Sequence, residues 1–541
     1  KHAYTFLVDG EAEEASLTYG QLEMRARVIA ARIQKVTTRG DRALLLYSAG
    51  LEFVTAFFGC LYAGVIAVPT YPPRRNRPDP RFEAIAVDAD ASLLLTTDSI
   101  LSDLEPRLAE TPSLRDLHWL TTDDLAIETA ANWRMPDIRG ETLAFLQYTS
   151  GSTGTPKGVM VSHANLLSNA RDTELKLVHT AGSIMVTWLP IFHDFGLMYG
   201  LIQPFYSGIP CYMMAPVAFL QKPVRWLQAI SRYKATHSSG PNFAYELCVQ
   251  RITPQQRAEL DLSHWRVAIN GAEPVRASTL KHFADVFEPC GFDPIAFSAA
   301  YGLAESTLRV SVSRRADALV FQKLQREALG QHRVVVGEDS EEDVVEGNPY
   351  QTAVGCGCGQ ADARIVIVHP ETLRCCAPDE IGEIWVSSGS VAQGYWNRPE
   401  ETEHTFRAHV ADTGEGPFLR TGDLGFSRDD ELFITGRVKD LIIIRGQNHY
   451  PQDIELTVEK SHESLAIGSG AAFSVEEDGE EQLVIVQEVQ RTHLRKLDAD
   501  AVTEAIRLKI LEEHELAVHV VLLLRPGVLP KTSSGKVQRR I

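Results

Sequence analysis

The sequence predicts an α/β protein in which parallel sheets flanked by helices form a large N-terminal region, a β-rich stretch follows, and a small α+β unit ends the chain. Three observations predict it. From Leu17 to Thr121 short apolar runs alternate with helical stretches, the pattern of parallel strands joined by crossover helices, and the alternation resumes after residue 184. Between Ala363 and Thr435 it gives way to strand-like runs alone. The length, 541 residues, exceeds what one hydrophobic core organises, so two or more domains are expected.

Taken in order, Ala43–Tyr47, Ser92–Thr96 and His118–Thr121 read as strands and Tyr19–Gln34 as a helix. Phe53–Val68 is the longest apolar run, yet it is short for a membrane span and is interrupted by Thr55, Gly59 and Gly64. It predicts a buried helix ending near Gly64 and then a short strand, with no transmembrane segment. Tyr71–Arg81, proline-rich and basic, reads as a solvated connection. Leu143–Leu146 is a strand that stops in Tyr148-Thr-Ser-Gly-Ser-Thr-Gly-Thr-Pro-Lys-Gly-Val159. Strands at Ile184–Leu189, Pro210–Met214 and Val267–Ala268 follow, with a helix near Pro223–Tyr233. Phe321–Thr352 breaks the pattern and holds an acidic run, Gly337–Glu346. Gly355-Cys-Gly-Cys-Gly359 precedes a strand, Ala363–His369, instead of a helix, and is therefore a turn and no dinucleotide fingerprint. Ile381–Ser388 and Glu431–Thr435 complete the β-rich stretch. Strands Gln482–Val489 and Val518–Leu524 around a helix, Ala499–His514, form the last unit.

Bulk composition excludes some classes of function. Lys+Arg 53 against Asp+Glu 71 gives a net charge of −18, which disfavours nucleic acid or an anionic membrane as the main partner. Eight cysteines in this length form no disulfide framework, and a reduced, cytoplasmic protein is expected. Cys356, Cys358, Cys375 and Cys376 lack the paired spacing of structural zinc ligands. No signal peptide is visible, and a start at Lys1 without methionine reads as a piece of a longer protein.

The loop after Leu143–Leu146 has the chemistry of a phosphate cradle. Gly151 and Gly154 let backbone N–H groups approach an anion, the hydroxyls of Thr149, Ser150, Ser152 and Thr153 donate, and Lys157 adds a cation. It is not a Walker A loop, because Gly158 and no Ser or Thr follows the lysine. In open α/β sheets ligands sit beyond the carboxyl ends of the strands, where the other candidate loops also fall. These are Trp188–Gly196, Asn270-Gly-Ala-Glu-Pro274 and Ser298-Ala-Ala-Tyr-Gly-Leu-Ala-Glu-Ser-Thr307.

The Tyr148–Val159 string closely resembles the signature loop of the adenylate-forming superfamily, which comprises acyl-CoA synthetases, luciferases, peptide-synthetase adenylation domains and fatty acyl-AMP ligases. Further motifs follow in family order over nearly the whole chain. The resemblance places His193 beside the reacting carboxylate; Asp194 could instead pair with an amino group, as in peptide-synthetase domains. It implies that Asn270, Gly271, Ala272 and Glu273 with Ser298, Ala300, Tyr301, Gly302 and Leu303 wall the adenine, Tyr301 stacking on the base. It gives Glu305 to Mg²⁺, Asp423 in Leu419–Gly425 to the ribose hydroxyls, and Arg437 to ribose and phosphate. Lys439 is implied as the hinge between a large domain, residues 1–438, and a small mobile C-terminal domain, residues 439–541. Lys536, after Ser-Ser-Gly, matches the lysine brought to the α-phosphate. Asn448-His-Tyr-Pro-Gln-Asp-Ile-Glu455 and the extra segment 321–352 look like fatty acyl-AMP ligases and unlike most acyl-CoA synthetases.

The resemblance therefore implies activation of a fatty acid by ATP and Mg²⁺ to an acyl-adenylate, then acyl transfer to the phosphopantetheine thiol of a holo acyl carrier protein, as in lipid, polyketide or lipopeptide biosynthesis. An acyl-CoA ligase shares the first half-reaction, and a non-catalytic nucleotide-binding domain is the reading from another class.

Overall fold

The computed structural model describes residues 1–71, 80–108, 117–149, 156–315, 317–337, 349–444, 447–477, 480–514, 516–531 and 537–539. Most of the Tyr71–Arg81 connection lies outside the described residues. Two large sheets carry the N-terminal region. The first runs His118–Thr121, Leu93–Thr96, Arg42–Leu46, Ile66–Thr70, Leu143–Thr149, Lys157–Ser162. Its first five strands are parallel, and the sixth returns antiparallel to Leu143–Thr149. The central strands are buried on both faces, which is why they read as unbroken apolar runs instead of alternating ones. Helix Leu51–Ala63 links two of them and ends at Gly64, whose φ of 76° is left-handed. The Phe53–Val68 run thus divides into helix and strand as expected.

The second sheet has nine strands. Its parallel centre, Phe297–Gly302, Val267–Asn270, His237–Gly240, Met185–Thr187, Cys211–Met214 and His2–Val8, is edged by antiparallel strands. His2–Val8 and Ala12–Thr18 were not anticipated from the sequence. Tyr4 pairs with Cys211, far along the chain, and Tyr4 O–H donates to the Leu201 carbonyl (2.6 Å), so the strand is defined by a distant neighbour. Capping boxes at Thr18 and Ser162 open helices Tyr19–Ile33 and His163–Leu177 and set where the preceding strands stop. No helix among the described residues is long and apolar enough to cross a membrane.

Four antiparallel strands, Arg364–Val368, Gly382–Ser387, Leu419–Arg428 and Glu431–Arg437, make the β-rich part. The last unit packs helices Pro451–Ser461 and Ala499–His514 on the sheet Leu465–Glu477, Glu480–Val489 and Val518–Leu524, around its own apolar cluster of Ile454, Ile485, Ile506 and Ile510.

Within the extra segment, Phe321–Gln325 pairs antiparallel with Tyr350–Val354, and helix Arg326–Gly330 follows the first strand. Residues 338–348, which include most of the acidic run, lie outside the described residues. The segment packs on the start of the last unit. Leu324, Leu329 and Val334 share an apolar cluster with Tyr450, Asn448 Nδ2 donates to the Gly330 carbonyl (3.1 Å), and Gln351 Nε2 donates to Asp453 Oδ1 (3.1 Å). The two features that the sequence singles out as ligase-like therefore touch each other.

Burial raises the Asp453 carboxyl to about 6. The folded chain then keeps a proton between roughly pH 4 and 6 that the unfolded chain releases, so this group's contribution to stability falls as pH rises through that window. Asp453→Asn is expected to flatten that part of the stability–pH curve, read from denaturation midpoints. An unchanged curve would show that Asp453 does not set it.

Candidate functional site

The site is built where loops of the two large sheets meet the β-rich strands. Thr149 ends one strand and Lys157 opens the next, directly opposite in register, so the phosphate-cradle loop is the connection of a β-hairpin. Ser150, Gly151, Ser152, Thr153 and Gly154 lie outside the described residues. Lys157 Nζ forms an ion pair with Glu401 and lies 5.2 Å from the centroid of the Tyr395 ring.

Asp423 faces Arg437 across two antiparallel strands. Its Oδ1 accepts from Arg437 Nε (3.0 Å) and its Oδ2 from Tyr301 O–H (2.7 Å). Asp423 strengthens the protonation of Arg437, while burial, and then the Asp423 charge, raise the Tyr301 phenol well above its usual value. Three residues that the sequence spreads over more than a hundred positions thus form one cluster.

Strand Phe297–Gly302 runs into the short 3₁₀ turn Ala304–Ser306, which presents Glu305. Gly302 is required here, since a Cβ would lie 2.0 Å from the Leu308 carbonyl oxygen. Glu305 Oε1 accepts from Tyr395 O–H (2.7 Å), and Ala392 N–H donates to the Glu305 carbonyl (2.9 Å). Burial raises the Glu305 carboxyl, and the nearby Asp194 charge raises it further.

His193 Nδ1 lies 2.6 Å from Asp194 Oδ1, which also accepts Phe195 N–H (2.7 Å). Asp194 is the N-cap of a fully buried π-helix, Phe195–Ile202, that the sequence reading did not foresee. Gly196 sits within it because a Cβ would fall 2.0 Å from the Pro190 carbonyl oxygen. The wider π turn is a tertiary outcome with no local sequence signal. Phe195 N–H also lies within 3.4 Å of His193 Nδ1, so the imidazole is held at this edge by Asp194 and by the start of the π-helix.

Asn270 ends its strand beside Ala299, which places the Asn270–Glu273 turn against Ser298–Leu303. Asn270 Nδ2 donates to Asn242 Oδ1 (3.2 Å), Glu273 Oε1 accepts Phe243 N–H (2.5 Å), and Ala272 takes a positive φ of 69°. Gly271 leaves room for the Ala300 carbonyl, 2.8 Å from where its Cβ would be. Asn270 and Glu273 are thus anchored on helix Asn242–Arg251. Lys439 lies in the turn Val438–Asp440, next to Asp440, which pairs with Arg539 at 3.5 Å. Lys536 lies outside the described residues.

Sequence reasoning missed Tyr395, Arg398 and Glu401. They stand in Tyr395-Trp-Asn-Arg-Pro-Glu-Glu401, which by itself reads as a turn into a helix. Nothing local pairs Glu401 with a lysine 244 positions earlier.

The comparisons with known proteins agree with one another. The chain matches the AMP-binding enzyme family over residues 1–396 and the AMP domain of Disco-interacting protein 2-like proteins over residues 439–541. It is 53% identical to the medium-chain-fatty-acid acyl-carrier-protein ligase JamA of Moorena producens, over 100% of this chain and 91% of that protein. It is 37% identical to a long-chain-fatty-acid AMP ligase of Mycobacterium tuberculosis, over 98% of this chain and 91% of the relative. Among solved structures it resembles a fatty acyl-adenylate ligase of L. pneumophila in complex with acyl adenylate and pyrophosphate, with a TM-score of 0.78 and 41% identity, covering 100% of this chain and 92% of that one.

Proposed function

The chain belongs to the AMP-binding enzyme family, among its fatty acyl-AMP ligases, and from that premise we propose that the site described above activates a fatty acid with ATP and hands the acyl group to an acyl carrier protein. The observation that carries the substrate class is the 53% identity to JamA across the whole chain. A geometric observation supports a plain carboxylic acid over an amino acid. Asp194 Oδ1 is engaged by Phe195 N–H and by His193, which favours a part in holding the start of the π-helix over pairing with an ammonium group.

In the reaction an oxygen of the fatty carboxylate attacks the α-phosphorus of ATP, the bond to the bridging oxygen breaks, and pyrophosphate leaves with that oxygen. Catalysis of this kind is positioning plus cationic stabilisation of the phosphoryl oxygens. Asp423 binds the ribose hydroxyls, with Tyr301 and Arg437 fixing its two oxygens. Asn270–Glu273 and Ser298–Leu303 form the adenine wall, and Lys157 with the cradle loop takes the phosphates. His193 stands at the carboxylate, Lys536 reaches the α-phosphate, and Lys439 is the hinge between residues 1–438 and 439–541. Glu305 fits a Mg²⁺ ligand, because a carboxylate presented on the Ala304–Ser306 turn is a hard oxygen donor suited to a hard divalent cation, and the ion when bound would supply positive charge against the triphosphate. Eight free thiols fit a reducing compartment such as the cytoplasm.

The contacts of the 321–352 segment with Tyr450 and Asp453 support transfer to a carrier protein over free CoA. A bias of only about 3 kcal/mol against the orientation of the small unit that free CoA needs suppresses acyl-CoA formation roughly a hundredfold. Pyrophosphate exchange driven by fatty acids of graded length, with acyl-adenylate read by mass spectrometry and then offered holo carrier protein or CoA, tests the whole reading. Absence of exchange would refute it, and rapid acyl-CoA formation would move the chain to the CoA ligases.

Asp423→Ala is expected to raise the KM for ATP at least about tenfold, since two charge-assisted hydrogen bonds to ribose are lost. Fatty-acid binding measured by calorimetry without nucleotide should stay unchanged; a comparable loss there would contradict the ribose assignment.

A further inference from the structure

A chain of polar contacts runs from Tyr148 to Lys157 behind the nucleotide hairpin, through Asp88, Arg398 and Glu401, which the reaction above does not use. Tyr148 O–H donates to Asp88 Oδ2 (2.7 Å), and Asp88 Oδ1 accepts from Arg398 Nη2 (2.9 Å). Arg398 Nη1 lies 3.6 Å from Glu401 Oε1, and Glu401 Oε2 holds Lys157 Nζ. The same ammonium rests on the face of Tyr395, whose hydroxyl is fixed on Glu305. Glu401 stands in the first turn of helix Pro399–Phe406, a favourable place for a carboxylate. The Lys157 hydrogen bond first, and then the charges of Lys157, Arg398 and Lys439, keep its carboxyl below the usual range, so it is ionised at neutral pH. The cation of the cradle is therefore already paired with a carboxylate of this chain.

Resting on the reading that Lys157 serves the nucleotide phosphates, we propose that Glu401 is a positioning residue that parks Lys157, and that the triphosphate takes the lysine by displacing this carboxylate. The geometry suits an exchange of partners. Both side chains are partly open to solvent, 20% for Lys157 and 40% for Glu401, so their pairing is weak enough to be given up. A triphosphate offers several anionic oxygens in place of one carboxylate. Arg398, anchored on Asp88, keeps Glu401 oriented while it is unpaired, and the Tyr395 ring holds the ammonium near its place. When pyrophosphate departs, the carboxylate takes the lysine back, which assists release.

Calorimetric titration of the intact protein with ATP, without fatty acid, tests this in the parent, Glu401→Gln, Glu401→Asp and Glu400→Gln. Glu400 is an exposed neighbour on the same helix and controls for net charge. Glu401→Gln is expected to bind ATP roughly two- to fivefold more tightly, the worth of one solvent-accessible ion pair, with the gain shrinking as salt is raised. Pyrophosphate alone should show the same gain, and Glu401→Asp and Glu400→Gln should stay near the parent. Equal or weaker ATP binding by Glu401→Gln, or the same gain in Glu400→Gln, overturns the proposal. Lys157→Ala separates the premise from the inference: unchanged ATP binding there removes both. Failure of the parent to form acyl-adenylate would instead count against the proposed reaction, because the binding measurement needs no turnover.

Discussion

Lys536→Ala is expected to slow acyl-adenylate formation about a hundred- to thousandfold while leaving acyl transfer from supplied acyl-adenylate close to normal. A single preorganised cation aimed at charge that develops in the transition state is worth about 2.7–4 kcal/mol. That charge develops on the α-phosphate only in the first half-reaction. The chain on either side of residues 532–536 is well held. Gln538 N–H donates to the Pro530 carbonyl (3.0 Å), Lys531 bridges Val537 antiparallel, and Lys531 Nζ donates to the Gly468 carbonyl (2.9 Å). Beyond the lysine, Arg539 grips Glu455 with two bonds of 2.7 Å and lies 3.5 Å from Asp440, beside the proposed hinge. The described residues that flank Lys536 are thus tied both to the last unit and to the turn proposed as the hinge. Single-turnover measurement of each half-reaction checks the prediction, and equal loss in both would show that Lys536 does not act on the α-phosphate alone.

Asp172→Ala is expected to destabilise the large region by about 3–5 kcal/mol, because it leaves a buried guanidinium without its counter-charge. Arg309 and Asp172 expose only 4% and 10% of their side chains. Asp172 Oδ2 pairs with Arg309 Nη2 and its Oδ1 accepts Ala361 N–H (3.0 Å), while Arg309 Nε donates to Thr173 Oγ1 (3.0 Å). Arg309 Nη1 is buried with no hydrogen-bond partner, so its environment already depends on the carboxylate. Burial works against the charge of Arg309, and Asp172 is the group that offsets it. The double variant Asp172→Ala/Arg309→Met should recover most of the loss, since removing both charges removes the penalty with the pairing. Chemical denaturation followed by midpoint at constant slope measures both. A loss below about 1 kcal/mol for Asp172→Ala would mean that solvent reaches the site.

The sequence by itself determined the local elements and the family. Leu51–Ala63 followed by Ile66–Thr70, the helix Ala499–His514 and the strands His118–Thr121 and Val518–Leu524 follow from short-range causes: apolar spacing, a glycine that accepts a left-handed φ, and apolar runs of strand length. The motif strings are equally local, because each is a short run of adjacent residues that can be read without knowing what it packs against. Only the tertiary structure decided which side chains meet. Tyr301 reaches Asp423 across 122 positions, Tyr395 reaches Glu305 across 90, and Glu401 reaches Lys157 across 244. It also recruited His2–Val8 to a sheet whose next strand begins at Cys211, and wound Phe195–Ile202 into a π-helix beneath Pro190. The reason is that dihedral preference and the apolar face of an element are written in adjacent residues, whereas sheet order and ion-pair choice are settled by which distant surfaces exclude water together.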